Sequence, residues 1–283
     1  MKNLQAIEFK IKRLLSQGTF WNYKSVLSWN WMEFSEHKEY NFWDPVKDID
    51  WKASAKGNKL YVKKYEEDKD LNILFVFDLF SNFDFWSKNK TKIDILKEVF
   101  YSLALVAYYN NDNIWALFFG NNLEFVPYKK QKENIYSLLD KLQNYKNLDL
   151  QNRNINNLFE ALVKKRIKNN LIFIFSDFVW EIDSKLLKIL SLENDIVYIN
   201  IFDDFELDLS FWKKLDLWNL SFNFWKEFLN IDLKDSIKKE EYKKVLWKKL
   251  ELFKLNLRQN RIWYLNINTS DDVFKKLVKY FNK

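Results

Sequence analysis

Two aspartates follow the most apolar segments of this chain and are its best-placed candidates for chemistry. Asp78 comes directly after the apolar run 71–77, and Asp177 follows the run 171–175 with one serine between. Uninterrupted apolar runs of this length are typical of central strands in a parallel sheet. Ligands of such sheets bind beyond the carboxyl ends of the strands, so we expect Asp78 and Asp177 at one edge. Two carboxylates there could hold a divalent cation, and a metal-dependent hydrolase or nucleic-acid enzyme is one reading of them.

Other catalytic chemistries lack the residues they need. The chain has no cysteine, which excludes disulfides, thiolate metal sites and cysteine catalysis. Its one histidine, His37, stands between Glu36 and Lys38 in a predicted half-exposed strand, with no spacing that indicates a partner base or nucleophile. No glycine-rich phosphate loop is present. We therefore expect a protein that is not an enzyme.

Alternating elements must position the two aspartates. Met1–Ser16 reads as an amphipathic helix, and residues 18–65 are rich in turns and strand patterns that end in a strand at 59–65. Further strands are predicted at 71–77, 113–119, 123–127, 171–175, 196–202 and 262–267, and helices at 91–109, 131–144, 155–167, 184–192, 236–256 and 271–281. This alternation indicates an α/β fold, a doubly wound, mainly parallel sheet covered on both faces. We divide the chain into a β-rich segment at 1–70, which includes the first helix, and a main domain at 71–283.

The positive charge is modest and spread along the chain. There are 46 basic and 39 acidic residues, for a net charge of +7. Basic runs such as Lys63-Lys64, Lys129-Lys130 and Lys164-Lys165-Arg166 read as solvated faces, with a patch for an acidic partner or nucleic acid as the alternative. No apolar stretch approaches the roughly 20 residues of a membrane span. We expect a cytoplasmic protein that binds neither membrane nor nucleic acid.

Three motifs in the first 56 residues carry a resemblance to a known family. They are Trp21-Asn22-Tyr23-Lys24-Ser25, the segment 29–40 with Glu33, Glu36 and Tyr40, and the segment 43–56 with Asp44, Asp50, Trp51 and Lys56. These motifs resemble the signature of the domain of unknown function 58 family, which has a von Willebrand factor A-like fold. The resemblance extends to Ser176-Asp177-Phe178 and covers nearly the whole chain.

The resemblance implies a partner and a degenerate cation site. Such proteins are thought to act with a MoxR-type AAA+ ATPase in assembling or activating other proteins. The fold carries a variant of the metal-ion-dependent adhesion site, which suits Mg²⁺ or Mn²⁺. Asp78 and Asp177 match its acidic positions, Asn82 replaces a serine and Asn156 a threonine, while Phe80 replaces the other serine and cannot ligate a cation. The alternative is that the two aspartates only cap the sheet edge.

The chain has 13 Trp but only 3 Gly, where average usage of roughly 7% would give about 20 glycines. Trp21, Trp29, Trp31, Trp43, Trp86, Trp115 and Trp212 stand at glycines of the family, Trp180, Trp218, Trp225 and Trp263 match less securely, and Trp51 matches a family tryptophan. Turns that need a positive φ favour glycine, and a larger residue costs about 1–2 kcal/mol there. We interpret many of these tryptophans as UGA codons that the organism reads as glycine.

Overall fold

The computed structural model describes residues 7–9, 11–13, 33–42, 44, 46, 49–55, 59–66, 71–79, 90–127, 132–144, 154–176, 182–203 and 236–281. The strands are β1 (Glu33–Glu39), β2 (Tyr61–Glu66), β3 (Asn72–Asp78), β4 (Asn113–Phe119), β5 (Leu123–Pro127), β6 (Leu171–Ser176), β7 (Asp195–Phe202) and β8 (Trp263–Asn268). The helices are α1 (Trp51–Ser54), α2 (Lys92–Tyr109), α3 (Lys132–Asn144), α4 (Ile155–Lys164), α5 (Ser184–Glu193), α6 (Ser236–Gln259) and α7 (Val273–Phe281), and residues 7–9 and 11–13 are also helical.

Six strands form the central sheet in the order β5-β4-β3-β6-β7-β8. All neighbours are parallel except β5, which pairs antiparallel with β4 at one edge. Counted from its first strand the order is 3-2-1-4-5-6, that of a doubly wound fold, and the chain reverses direction across the sheet between β3 and β6. The expected mainly parallel α/β sheet is confirmed. β1 and β2 form a separate antiparallel pair.

The apolar runs form strands because both faces of the sheet are covered. Phe75 and Phe77 face a core that includes residues of α2, α3 and α7, whereas Leu74 and Val76 face a second core with residues of α4, α5 and α6. Phe75 stacks on Phe173 with ring centroids 5.4 Å apart. Burying each such side chain contributes about 1.5–3 kcal/mol. Since alternate side chains enter different cores, no position in the strand favours a polar residue until its end.

Most predicted boundaries lie within one or two residues of the observed ones, and two helix ends differ by three residues. The helix expected at 155–167 ends at Lys164, since Lys165 is its C-cap and Arg166 has a left-handed φ of 54°. The helix expected at 236–256 continues to Gln259. The two strands that precede the candidate aspartates run slightly longer than expected, so Asp78 and Ser176 are the last residues of β3 and β6.

The described tryptophans do not occupy left-handed turns. Non-glycine residues with positive φ in the described part of the chain are Asn111, Arg166, Asn169 and Arg261. Trp115 lies inside β4, within the strand predicted at 113–119. Most of the other matched tryptophans, at 21, 29, 31, 43, 86, 180, 212, 218 and 225, lie outside the described residues.

Candidate functional site at the carboxyl edge of the sheet

Asp78 lies at the point where the sheet reverses its winding, with its side chain buried. β3 and β6 are neighbours, and their last residues bring Asp78 beside Ser176. The Ser176 hydroxyl donates to Asp78 Oδ2 at 2.6 Å, and both residues are fully buried. A buried carboxylate needs hydrogen-bond donors to offset its lost hydration, and the serine supplies one. The Asp78 carboxylate is therefore fixed in place at this edge.

A second carboxylate repeats this arrangement two strands away. Asp203 follows β7 and Thr269 follows β8, and the Thr269 hydroxyl donates to Asp203 Oδ2 at 2.5 Å. Both side chains are buried. Sequence reasoning missed Ser176, Asp203 and Thr269 as site residues. The rule that selected Asp78, a polar residue at the end of an apolar strand, also selects these three.

Asn156 holds two helices together through its side chain. It lies in the first turn of α4, and its Oδ1 accepts the backbone N–H of Asp183 at 2.9 Å. Asp183 in turn caps α5, because its Oδ1 accepts the N–H of Lys185 at 2.8 Å. The amide oxygen proposed as a cation ligand thus joins the beginning of α4 to the beginning of α5.

The described residues do not by themselves make up a cation site. Asp78 and Ser176 offer oxygens at one point, fewer than the roughly six that Mg²⁺ requires. Among the described residues there is no group of three or more histidine, cysteine, aspartate or glutamate side chains able to hold a metal. Asp177 and Asn82, the other proposed ligands, lie outside the described residues.

Two signature aspartates of the first segment have local structural roles. Asp44 Oδ2 accepts the N–H of Asn41 at 2.8 Å, and Lys38 Nζ lies 3.2 Å from Asp44 Oδ1, so these two partners lower the pKa of Asp44. Asp50 caps α1 by accepting the N–H groups of Lys52 and Ala53. The Lys38–Asp44 pair is exposed, so it is not part of a buried ion network.

The other signature residues are placed as follows. The Tyr40 N–H donates to the Leu60 carbonyl at 2.8 Å, which extends the contact between β1 and β2. Trp51 begins α1 and is 64% exposed. Glu33, Glu36 and His37 belong to β1, but only their backbone is described, and Lys56 lies outside the described residues.

The chain belongs to the family described as protein of unknown function DUF58. The family model matches residues 36–248, which include β2 to β7 and both members of the Asp78–Ser176 pair. No curated protein matches the chain.

Several solved structures show weak similarity. One is the conserved hypothetical protein BatB from Bacteroides thetaiotaomicron, at 10% identity and a TM-score of 0.35, covering 46% of this chain and 66% of that one. Another is an aerotolerance-related membrane protein from Bacteroides fragilis NCTC 9343, at 12% identity and a TM-score of 0.33, covering 46% and 67%. The chain thus spans about two thirds or less of the length of these two structures. Within the described part of this chain, no helix has the length and apolar character needed to cross a membrane.

Proposed function

We propose that this chain is a non-enzymatic, von Willebrand factor A-like interaction module of the cytoplasm. It acts with a MoxR-type AAA+ ATPase in the assembly or activation of other proteins. The observation that carries the proposal is the buried Asp78 carboxylate, held by Ser176 at the reversal point of a doubly wound sheet. The ATPase docks at this carboxyl edge.

The state of Asp78 suits recognition better than catalysis. A general base must reach a substrate proton, whereas Asp78 is fully buried and hydrogen-bonded to Ser176. A carboxylate held in one position gives this edge of the sheet a negative potential, which attracts a cationic group of a partner. Docking through protein groups does not require Mg²⁺ or Mn²⁺, although Asp177 and Asn82 could complete a degenerate site.

The test replaces one carboxylate at a time. Asp78→Asn keeps the shape and one acceptor of the side chain but removes its charge, and Asp203→Asn is the matched control because Thr269 holds it in the same way. With a purified MoxR-type ATPase from the same organism immobilised on a biosensor, we expect Asp78→Asn to weaken binding at least tenfold. Asp203→Asn should bind like the wild type.

Two results would contradict the proposal. Equal binding by both variants and the wild type would show that the ATPase does not dock at this edge. Mn²⁺-dependent cleavage of a phosphodiester by the wild type, lost in Asp78→Asn, would indicate the metal-dependent hydrolase instead. The melting temperature of each variant shows whether it is folded.

We also propose that part of the tryptophan content comes from UGA codons read as glycine. The support is the register of the family signature, in which Trp21, Trp29, Trp31 and Trp43 stand at glycines while Trp51 stands at a tryptophan. Exposure does not separate the two kinds, because Trp51 is 64% exposed and Trp115 and Trp263 are 43% exposed.

A further inference from the structure

A small groove lies near the amino ends of β6 and β7, at the end of the sheet opposite Asp78. It is formed where α4 and α5 end, just before β6 and β7 begin, and has a volume of about 260 Å³. We call it the α4–α5 groove, and its lining is Val163, Arg166, Ile167, Lys168, Ile189, Leu190 and Glu193. Pockets for drug-sized molecules span about 300–1,000 Å³, so this groove has room for one or two apolar side chains.

Arg166 stands where the backbone favours glycine. α4 ends in a Schellman motif, in which the Arg166 N–H donates to the Val163 carbonyl at 2.9 Å and the Ile167 N–H to the Leu162 carbonyl at 3.3 Å. The left-handed residue of this motif is usually glycine, but here it is an arginine with φ of 54°. Arg261 ends α6 in the same motif with φ of 56°, so the conformation alone does not mark a site, and Arg166 differs from it in lining the groove.

Three of the four cations at 164–168 contact described side chains, which leaves the Arg166 guanidinium for a ligand. Lys168 Nζ lies 2.6 Å from Glu193 Oε1, and Lys164 Nζ lies 3.1 Å from Glu160 Oε2. Lys165 lies over the ring of Phe125. Arg166 makes no ion pair with the residues that the structure describes.

The segment 160–168 together with Glu193 carries a net positive charge. Four cations, Lys164, Lys165, Arg166 and Lys168, stand against the two carboxylates Glu160 and Glu193, which leaves two positive charges. Asp195, which begins β7 at the same end of the sheet, offsets one of them. The run Lys164-Lys165-Arg166 is one of the basic runs that the sequence left open as a patch for an acidic partner.

The walls of the groove are held in place before any ligand arrives. Asn194 follows α5, and its Nδ2 donates to the Ile167 carbonyl at 2.9 Å while its Oδ1 accepts the Asn170 N–H at 3.1 Å. The Asn169 N–H donates to the Glu193 carbonyl at 2.8 Å. A groove formed in advance spares the partner the cost of ordering it.

Apolar surface continues out of the groove along α5. Ile189 is 48% exposed and Leu192 is 70% exposed. From this surface and from Arg166 we infer that the α4–α5 groove binds a peptide segment of a partner protein, one that places leucine-like side chains in the groove and a carboxylate on Arg166. This inference does not rest on the proposed role of Asp78, because the two sites are at opposite ends of β6.

The probe is a fluorescein-labelled peptide, Glu-Leu-Glu-Glu-Leu-Leu-Glu-Glu, titrated with the full chain and followed by fluorescence anisotropy. We expect saturable binding with a Kd below about 1 mM, the range of one apolar anchor and one ion pair. Binding should weaken as salt rises, because the charged contact is screened. Peptides with lysine for glutamate or serine for leucine should not bind.

Arg166→Gly separates binding from folding. The substitution relieves the left-handed backbone and deletes the guanidinium, so we expect no fall in melting temperature and at least a tenfold loss of peptide affinity. Ile189→Ser should lose affinity about fivefold through its apolar contact. Lys275→Ala, which removes one charge from α7 on the other face of the sheet, should bind like the wild type.

Four results would overturn the inference. They are the absence of saturable binding by the acidic peptide, an equal loss in Lys275→Ala, preferred binding of the lysine peptide, and stronger Arg166-dependent binding of a labelled RNA dodecamer than of the acidic peptide. The last would assign the basic run to phosphate recognition.

Discussion

Asp78 and Asp203 are two carboxylates that the fold treats in the same way. Each ends or follows a central strand, is buried, and accepts a hydroxyl from the next strand of the sheet. If the two carboxylates share a structural role, removing either one should affect stability equally. Docking of the ATPase, by contrast, should depend only on Asp78 at the ends of β3 and β6.

Substitutions of the two hydroxyl partners test how much each hydrogen bond contributes to stability. Ser176→Ala and Thr269→Ala each remove one donor from a buried carboxylate, and we expect a loss of about 1–3 kcal/mol in the free energy of unfolding for each. Urea denaturation at neutral pH measures it. Thr269→Ser keeps the hydroxyl and should retain most of the stability, and a loss below 0.5 kcal/mol in both alanine variants would show that other groups satisfy the carboxylates.

At the scale of elements, the helical residues near the amino terminus are joined to α2 and α3 through Glu8. Ile7 and Ile11 belong to the core that these helices cover. Glu8 Oε1 lies 2.6 Å from Lys132 Nζ and accepts the Tyr109 hydroxyl at 3.1 Å. The bond from Lys132, followed by those from Lys12 and Tyr109, outweighs burial and lowers the pKa of Glu8 to about 2.

The lowered pKa of Glu8 predicts that the free energy of unfolding decreases as the pH falls. A carboxyl with a lowered pKa stabilises the folded state above its ordinary pKa of 4.5, and the contribution is lost as the pH falls toward about 2. After allowance for solvent screening we expect about 1–2 kcal/mol at pH 7. Urea denaturation of the wild type and of Glu8→Gln should differ by this amount at pH 7 and converge between pH 4.5 and 2.

A matched substitution provides the control for the Glu8 prediction. Glu160→Gln removes an exposed i,i+4 partner of Lys164 and should change stability by no more than about 0.5 kcal/mol at any pH. A pH-independent difference between the wild type and Glu8→Gln would mean that packing, not ionisation, is responsible.

At the scale of the whole molecule, the sheet separates two candidate surfaces. Asp78 and Ser176 lie at the carboxyl ends of β3 and β6, whereas the α4–α5 groove precedes the amino ends of β6 and β7. The six residues of β6 extend about 20 Å. The two proposals together predict an ATPase at one end of the sheet and a second protein at the other, which is the arrangement of an adaptor.

The codon proposal also concerns the whole molecule. We expect UGA at positions 21, 29, 31, 43, 86, 115 and 212 and UGG at Trp51. The nucleotide sequence decides this, and the intact mass of the protein from its own organism should be lower than that of the printed sequence by one tryptophan-to-glycine difference per UGA. UGG at every position would refute recoding. For Trp115 the structure removes one argument for recoding, the strain of an indole in a left-handed turn, because this residue is in a strand.

The sequence alone determined the elements and the family. Strands such as β4 and helices such as α2 were predictable because apolar periodicity and end signals act over a few residues, and the motifs around Glu33 and Asp50 indicated the DUF58 family that the match over 36–248 confirms. The end of α4 was not predictable, because Arg166 gives no local sign that it takes a left-handed conformation.

Only the tertiary structure decided which side chains meet. Asp78 and Ser176 are 98 residues apart and Asp203 and Thr269 are 66 apart, and the order of strands in the sheet sets both pairs. The α4–α5 groove likewise exists because two helices on one face end side by side. Local patterns carry no information on which strands become neighbours, since that choice is made by burial of the whole sheet between two helical layers.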